Sequence, residues 1–170
     1  MEKRWNQGGE NMLRVLFVCL GNICRSPMAE AVFREKVNQT GLSKQFFVDS
    51  AGTGDWHIGE MPHKGTQEIL KKHQISFENM KARQLQSADF QIFTYIFTMD
   101  DQNTKDLAFF QKESLEDRPL YQGRLLDFVN ATYKGDIPDP YFTGNFDLVY
   151  KILSEACEKA LDKIRKLHQL

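Results

Sequence analysis

The chain has 170 residues, 41% of them hydrophobic and 26% charged, with a formal net charge of −1, which suits one compact domain around a single core. So neutral a balance gives no whole-molecule field to attract nucleic acid or an anionic membrane, and neither is expected as a partner. No uninterrupted apolar run approaches the ~20 residues that span a bilayer. Cys19, Cys24 and Cys157 make an odd number without framework spacing, which points to a reducing compartment, the cytoplasm, and to chemical rather than structural cysteines.

Residues 1–11 are polar, with Lys3 and Arg4 but no apolar segment behind them. They read as a disordered extension rather than a signal peptide, with the folded domain expected over 12–170. Residues 13–18 (LRVLFV) predict a strand buried on both faces, as in a parallel sheet. Ser26 and Pro27 suit the cap and first position of a helix, whose apolar face is Ala29, Val32, Phe33 and Val37 and whose end is Thr40-Gly41. A second strand at 46–50 completes a βαβ unit. Beyond it the pattern predicts a helix at 66–73, a third strand at 95–98, a short helix at 101–110 and a weaker fourth strand at 124–126. Residues 130–144 carry prolines 138 and 140 and glycines 135 and 144, so regular structure is not expected there. Phe146, Val149, Leu153, Ala156, Ala160, Ile164 and Leu167 recur at helical spacing and predict a long amphipathic closing helix. Alternating strands and helices make an α/β sandwich, whose ligands bind at the carboxyl ends of the strands.

The loop after the first strand reads Cys19-Leu20-Gly21-Asn22-Ile23-Cys24-Arg25-Ser26. A loop this tight between strand and helix can turn backbone N–H groups inward as an anion-binding nest, reinforced by the helix N-terminus. Arg25 can hold two phosphoryl oxygens with its planar fork. The same positive field favours a thiolate, and Ser26 can donate a hydrogen bond to its sulfur. Together these make Cys19 a nucleophile aimed at phosphorus.

The segment VCLGNICRSPMAE at 18–30 closely resembles the signature of the low-molecular-weight protein tyrosine phosphatases. The resemblance continues through Asp49-Ser50-Ala51-Gly52-Thr53, Met99-Asp100 and Asp139-Pro140-Tyr141, and so covers almost everything from Met12 onward. It implies a three-layer sandwich with a four-stranded parallel sheet in order 2-1-3-4, no metal or other cofactor, and a cysteinyl-phosphate intermediate. Leaving-group oxygen needs a general acid. Two prolines hold Asp139 on a stiff loop, and the resemblance makes it the acid, with Asp136 the alternative from sequence alone. Such an acid predicts a pH optimum below neutrality for an aryl phosphate.

By resemblance, Leu20, Gly21, Asn22, Ile23, Cys24 and Ser26 complete the phosphate site, and Trp56 and Tyr141 flank the phenyl ring of phosphotyrosine. Asn22, Ser50 and His73 are implied to form a network supporting the loop, Asp100 to position the acid loop, and Cys24 to form a protective disulfide with Cys19 under peroxide. Phe142 replaces the second tyrosine common in the family. The implied partners are phosphotyrosine proteins, with inorganic phosphate or vanadate as site ligands and a monomeric state. Arsenate reductases of the thioredoxin-coupled kind need further cysteines between Cys24 and Cys157, where there is none. Protein-arginine phosphatases carry a threonine in place of Ile23. A non-catalytic phosphate-binding module would have no use for Asp139.

Overall fold

The computed structural model describes residues 11–111 and 119–170; the expected N-terminal extension falls, Asn11 apart, outside the described residues. Four parallel strands, β1 (Leu13–Cys19), β2 (Phe46–Gly52), β3 (Tyr95–Thr98) and β4 (Tyr121–Arg124), form one sheet in the order β2-β1-β3-β4. Central β1 alternates its side chains between two cores. Val15, Phe17 and Cys19 face the larger one, beneath helices α1 (Arg25–Gln39) and α7 (Phe146–His168), while Leu16 and Val18 face the smaller. The smaller core is closed by Phe90 of α3 (Asp89–Ile92), by Phe93, and by Leu107, which follows α4 (Asp101–Asp106). Burial on both faces explains why β1 is a nearly continuous apolar run, each fully buried side chain contributing about 1.5–3 kcal/mol.

Several expected boundaries shift, each for a local reason. Helix α1 starts at Arg25 with Cys24 as its cap residue, so Ser26 is its second residue and does not cap it. Pro27 is the third, still among the N–H positions that lack an intrahelical acceptor, and costs no hydrogen bond. Helix α2 is Lys64–Lys72, capped by the His63 side chain, which accepts from Gly65 N–H. The fourth strand lies at Tyr121–Arg124, while Leu125 and Leu126 open helix α5 (Leu125–Phe128) and bury both side chains there. Within 130–144 there is one helical turn, α6 (Pro140–Thr143), capped by Asp139 with proline at its start and left-handed Gly144 at its end. Asp-Pro is a helix-start signal in its own right, and it prevails over the loop composition around it.

Gly52 ends β2 directly beneath the loop that follows β1. A side-chain carbon there would come within 2.8 Å of the Leu20 carbonyl oxygen, so only glycine lets the two backbones pass this closely.

Candidate active site

The loop between β1 and α1 is held from outside by its carbonyls. Those of Cys19, Leu20 and Ile23 accept backbone N–H groups of Thr53, Gly54 and His63 at 2.7–2.9 Å. The Cys24 carbonyl accepts the Thr66 hydroxyl at 3.1 Å. In a planar trans peptide the next N–H points opposite to the carbonyl, so the amides of Leu20, Gly21, Cys24 and Arg25 turn toward the interior of the loop. The sequence-predicted nest is thus built by its surroundings as much as by its own residues.

Cys19 stands in the centre of this nest. Its Sγ receives the Asn22 N–H at 3.3 Å and lies 3.0 Å from Ser26 Oγ. Asn22 adopts the left-handed conformation (φ 56°), which asparagine tolerates better than most residues. Its buried amide donates to Ser26 Oγ at 2.8 Å and Ser50 Oγ at 2.9 Å, and its Oδ1 accepts the Arg83 N–H at 2.9 Å.

Arg25 is almost fully buried. One guanidinium nitrogen donates to Asp100 Oδ2 at 2.7 Å and to the Ile137 carbonyl at 2.9 Å, and the other reaches Asp139 Oδ2 at 3.3 Å. Burial works against its charge, but the charges of Cys19, Asp100 and Asp139 outweigh that cost and hold it above its ordinary range. Asp100 also caps α4 in a reciprocal capping box with Asn103, so the carboxylate that orients Arg25 is itself fixed. Asp139 Oδ1 accepts the Tyr141 N–H at 3.1 Å, leaving its other oxygen on the arginine side.

These groups open into a cavity of about 180 Å³ lined by Cys19, Leu20, Gly21, Ile23, Cys24, Arg25, Trp56, Asp139 and Tyr141, together with His57 and Phe142. Trp56, Tyr141 and Phe142 are exposed at its rim. The structure therefore brings all but five of the sequence-predicted site residues to one cavity wall. Asn22 and Ser26 lie beneath the sulfur, Ser50 behind them, and Asp100 beside Arg25. A larger cleft, of about 350 Å³ between α1 and β2, has no cysteine in its lining.

His73 departs from its expected role. It ends α2, is exposed, and stacks on Tyr150 with ring centroids 3.8 Å apart. Asn22 finds its third partner in the Arg83 backbone instead, and Met80 lines the small recess beside Asn22 and Ser50. Asp136 does not line the cavity. Although burial opposes it, bonds from Arg124 and the Asp101 N–H, with the nearby charges of Arg124 and Arg25, hold its carboxyl below the usual range. A carboxylate so held is a poor proton donor, which favours Asp139.

Three cavity or support residues were not foreseen. His57 lines the mouth, with Nδ1 2.8 Å from Glu60 Oε2; its only sequence signal was its place after Trp56. Phe142 sits at the rim itself. Arg83 had no local signal, because its partners Asn22, Asp49 and Asp89 are distant or unremarkable in sequence. Cys24, at the cavity wall, is pushed up to about 12 by burial first and then by Cys19 and Asp139, with Arg25 and the Thr66 hydroxyl pulling the other way. All three cysteines are free thiols, so the Cys19–Cys24 disulfide is not formed in this state.

Comparison with known proteins shows the family. The family model described as low molecular weight phosphotyrosine protein phosphatase matches residues 14–170. The low molecular weight protein-tyrosine-phosphatase YfkJ of Bacillus subtilis is 48% identical over 162 residues, covering 94% of this chain and 100% of that protein. PtpA of Staphylococcus epidermidis is 41% identical over 158 residues, covering 91% and 96%. The crystal structure of YfkJ superposes with a TM-score of 0.84 at 46% identity, over 95% of this chain and 98% of that one. An arginine phosphatase from Drosophila superposes with a TM-score of 0.82 at 34% identity, over 90% and 98%. The chain belongs to the low molecular weight phosphotyrosine protein phosphatase family.

Proposed function

We propose that this phosphatase hydrolyses phosphotyrosine in proteins through a cysteinyl-phosphate intermediate, with Cys19 as nucleophile, Arg25 as phosphate clamp and Asp139 as general acid and base. The observation that carries this reading is the convergence of all three on one aromatic-rimmed cavity. The phosphoryl oxygens of the substrate occupy the inward N–H groups and the outer nitrogen of Arg25, displacing Asp139 from that nitrogen. Asp100 and the Ile137 carbonyl keep hold of the other nitrogen throughout.

The Cys19 thiolate attacks phosphorus. As the P–S bond forms, the ester P–O bond breaks, and the phenol oxygen takes the proton of Asp139. In the second step the Asp139 carboxylate takes a proton from water. The new P–O bond forms, the P–S bond breaks, and its electron pair returns to sulfur, where the Ser26 hydroxyl stabilises it. Inorganic phosphate is released and Asp139 is again protonated for the next ester. Ring faces of Trp56 and Tyr141 at the rim suit a phosphate carried on an aromatic arm. Cytoplasmic phosphotyrosine proteins are the natural substrates on this reading, with the enzyme a monomer; no helix of the described residues is long and apolar enough to cross a membrane.

The test is hydrolysis of a phosphotyrosyl peptide and of p-nitrophenyl phosphate in EDTA, with Cys19→Ser and Asp139→Asn beside the unaltered enzyme. Cys19→Ser is expected to abolish turnover, and Asp139→Asn to lower it by about 10²–10⁴-fold. Retained turnover in Cys19→Ser would overturn the mechanism. The Drosophila neighbour makes phosphoarginine the informative competitor: faster release from a phosphoarginyl peptide would overturn the substrate assignment while leaving the mechanism.

A further inference from the structure

We propose that Arg83 is a positioning residue for this reaction, setting the direction of the hydrogen-bond chain that ends on the Cys19 sulfur; this rests on Cys19 being the nucleophile. The chain can be followed atom by atom. The Arg83 backbone N–H can only donate, and it meets Asn22 Oδ1 at 2.9 Å. That contact fixes the orientation of the Asn22 amide, since the reverse would set two donors against each other. Nδ2 must therefore donate, to Ser26 Oγ at 2.8 Å and Ser50 Oγ at 2.9 Å. Ser26 Oγ, already accepting from Asn22, has its proton free for the sulfur 3.0 Å away. A thiolate can only accept, so the last bond runs from Ser26 to Cys19. One backbone N–H thereby polarises three successive bonds toward the nucleophile.

The Arg83 side chain holds that N–H in place. Its Nε donates to Asp49 Oδ2 on β2 at 3.0 Å, and its two terminal nitrogens grip both oxygens of buried Asp89 at 3.0 and 3.1 Å. Asp89 also accepts the Gln86 N–H at 2.8 Å. The Arg83 carbonyl accepts the Gly52 N–H at 2.9 Å, at the glycine over which the phosphate loop passes. A bidentate arginine–carboxylate pair fixes geometry as well as charge. Arg83 thus pins the segment after Met80 to β2 and α3 while its main chain reaches Asn22, occupying the structural place that His73 does not fill.

Sulfur needs this chain most when the P–S bond of the phosphoenzyme breaks and the electron pair returns to it. Two readouts separate positioning from mere stability: the pH profile of Cys19 alkylation by iodoacetamide, and the rate of phosphoenzyme breakdown in rapid-quench experiments with p-nitrophenyl phosphate. Arg83→Ala is expected to slow Cys19 alkylation at neutral pH severalfold and to slow phosphoenzyme breakdown about tenfold. Arg83→Lys, which keeps the charge but loses the two-nitrogen grip on Asp89, is expected to fall between. Leu161→Ala, in the core of α7, serves as a control that loses stability with an unchanged profile. Should Arg83→Ala not fold, Asp89→Asn makes the same test by loosening the grip on the guanidinium. A folded Arg83→Ala or Asp89→Asn with the unaltered enzyme's profile and breakdown rate overturns the inference. Failure of the underlying mechanism would show differently, as turnover surviving in Cys19→Ser.

Discussion

Cys19 and Cys24 lie in one loop, yet their surroundings are opposed. Cys19 accepts the Asn22 N–H and faces the Ser26 hydroxyl, while burial and the charges of Cys19 and Asp139 push the Cys24 thiol up to about 12. Cys157, enclosed beneath α1 and α7, is also pushed up to about 12 by burial. Only a thiolate alkylates readily, so limiting iodoacetamide at neutral pH is expected to place one label per chain, on Cys19. Peptide mapping that finds Cys24 labelled as fast would contradict the assignment of nucleophile and bystander. At this scale the sequence was most readable where one short segment held every part, as from Cys19 to Ser26. It was least readable for Arg83 and His73, because whether a residue reaches Asn22 depends on how distant segments cross in space, Arg83 lying 61 residues from Asn22 in sequence.

Among the elements, the acid loop shows how a segment of irregular backbone is made stiff. Ile137 N–H bonds the Met99 carbonyl at 2.9 Å, Asp101 N–H bonds Asp136 at 2.8 Å, and Arg124 bridges Asp136 and Asp127. The loop is thereby tied to the carboxyl ends of β3 and β4, and Asp139 then caps the single turn of α6. Arg124→Ala removes one tie without touching the nucleophile. Exposed ion pairs are weak, so p-nitrophenyl phosphate turnover is expected to fall by no more than about fivefold, with Cys19 alkylation unchanged. A parallel loss of alkylation would show that Arg124 supports the phosphate loop rather than the acid loop. The long elements β1 and α7 were legible because their burial is uniform along their length. Strand β4 begins three residues before its expected position because Gln122 and Gly123 carry little apolar signal, whereas Leu125 and Leu126, which look like strand, are buried from a helix.

Across the whole molecule, two cores on either side of one parallel sheet place the nest at the sheet's carboxyl edge. The fold also carries buried thiols with a cost in alkaline solution. Cys24 and Cys157 have an ordinary value of 9.0 and are raised to about 12 in the folded protein. Their contribution is therefore complete below the unfolded value and is lost as the pH rises from 9 toward 12. Fully enclosed Cys157 gives a slope approaching about 1.4 kcal/mol per pH unit, and Cys24 at the cavity wall gives less. Buried Tyr95 is raised as well and adds with the same sign. Urea unfolding at about pH 8 and about pH 10.5 is expected to show a clear loss of stability at the higher pH. Cys157→Ala is expected to be less stable at the lower pH but to lose less between the two. An equal loss in both proteins would remove Cys157 from the account.

The central claim is a phosphoryl group carried on Cys19. Acid quenching during turnover of p-nitrophenyl phosphate, followed by mass mapping of the trapped phosphoenzyme, tests it most directly. Phosphate on the peptide containing Cys19, absent from Cys19→Ser, is the predicted result. Steady turnover with no phosphate on Cys19, or with phosphate on another residue, would contradict it.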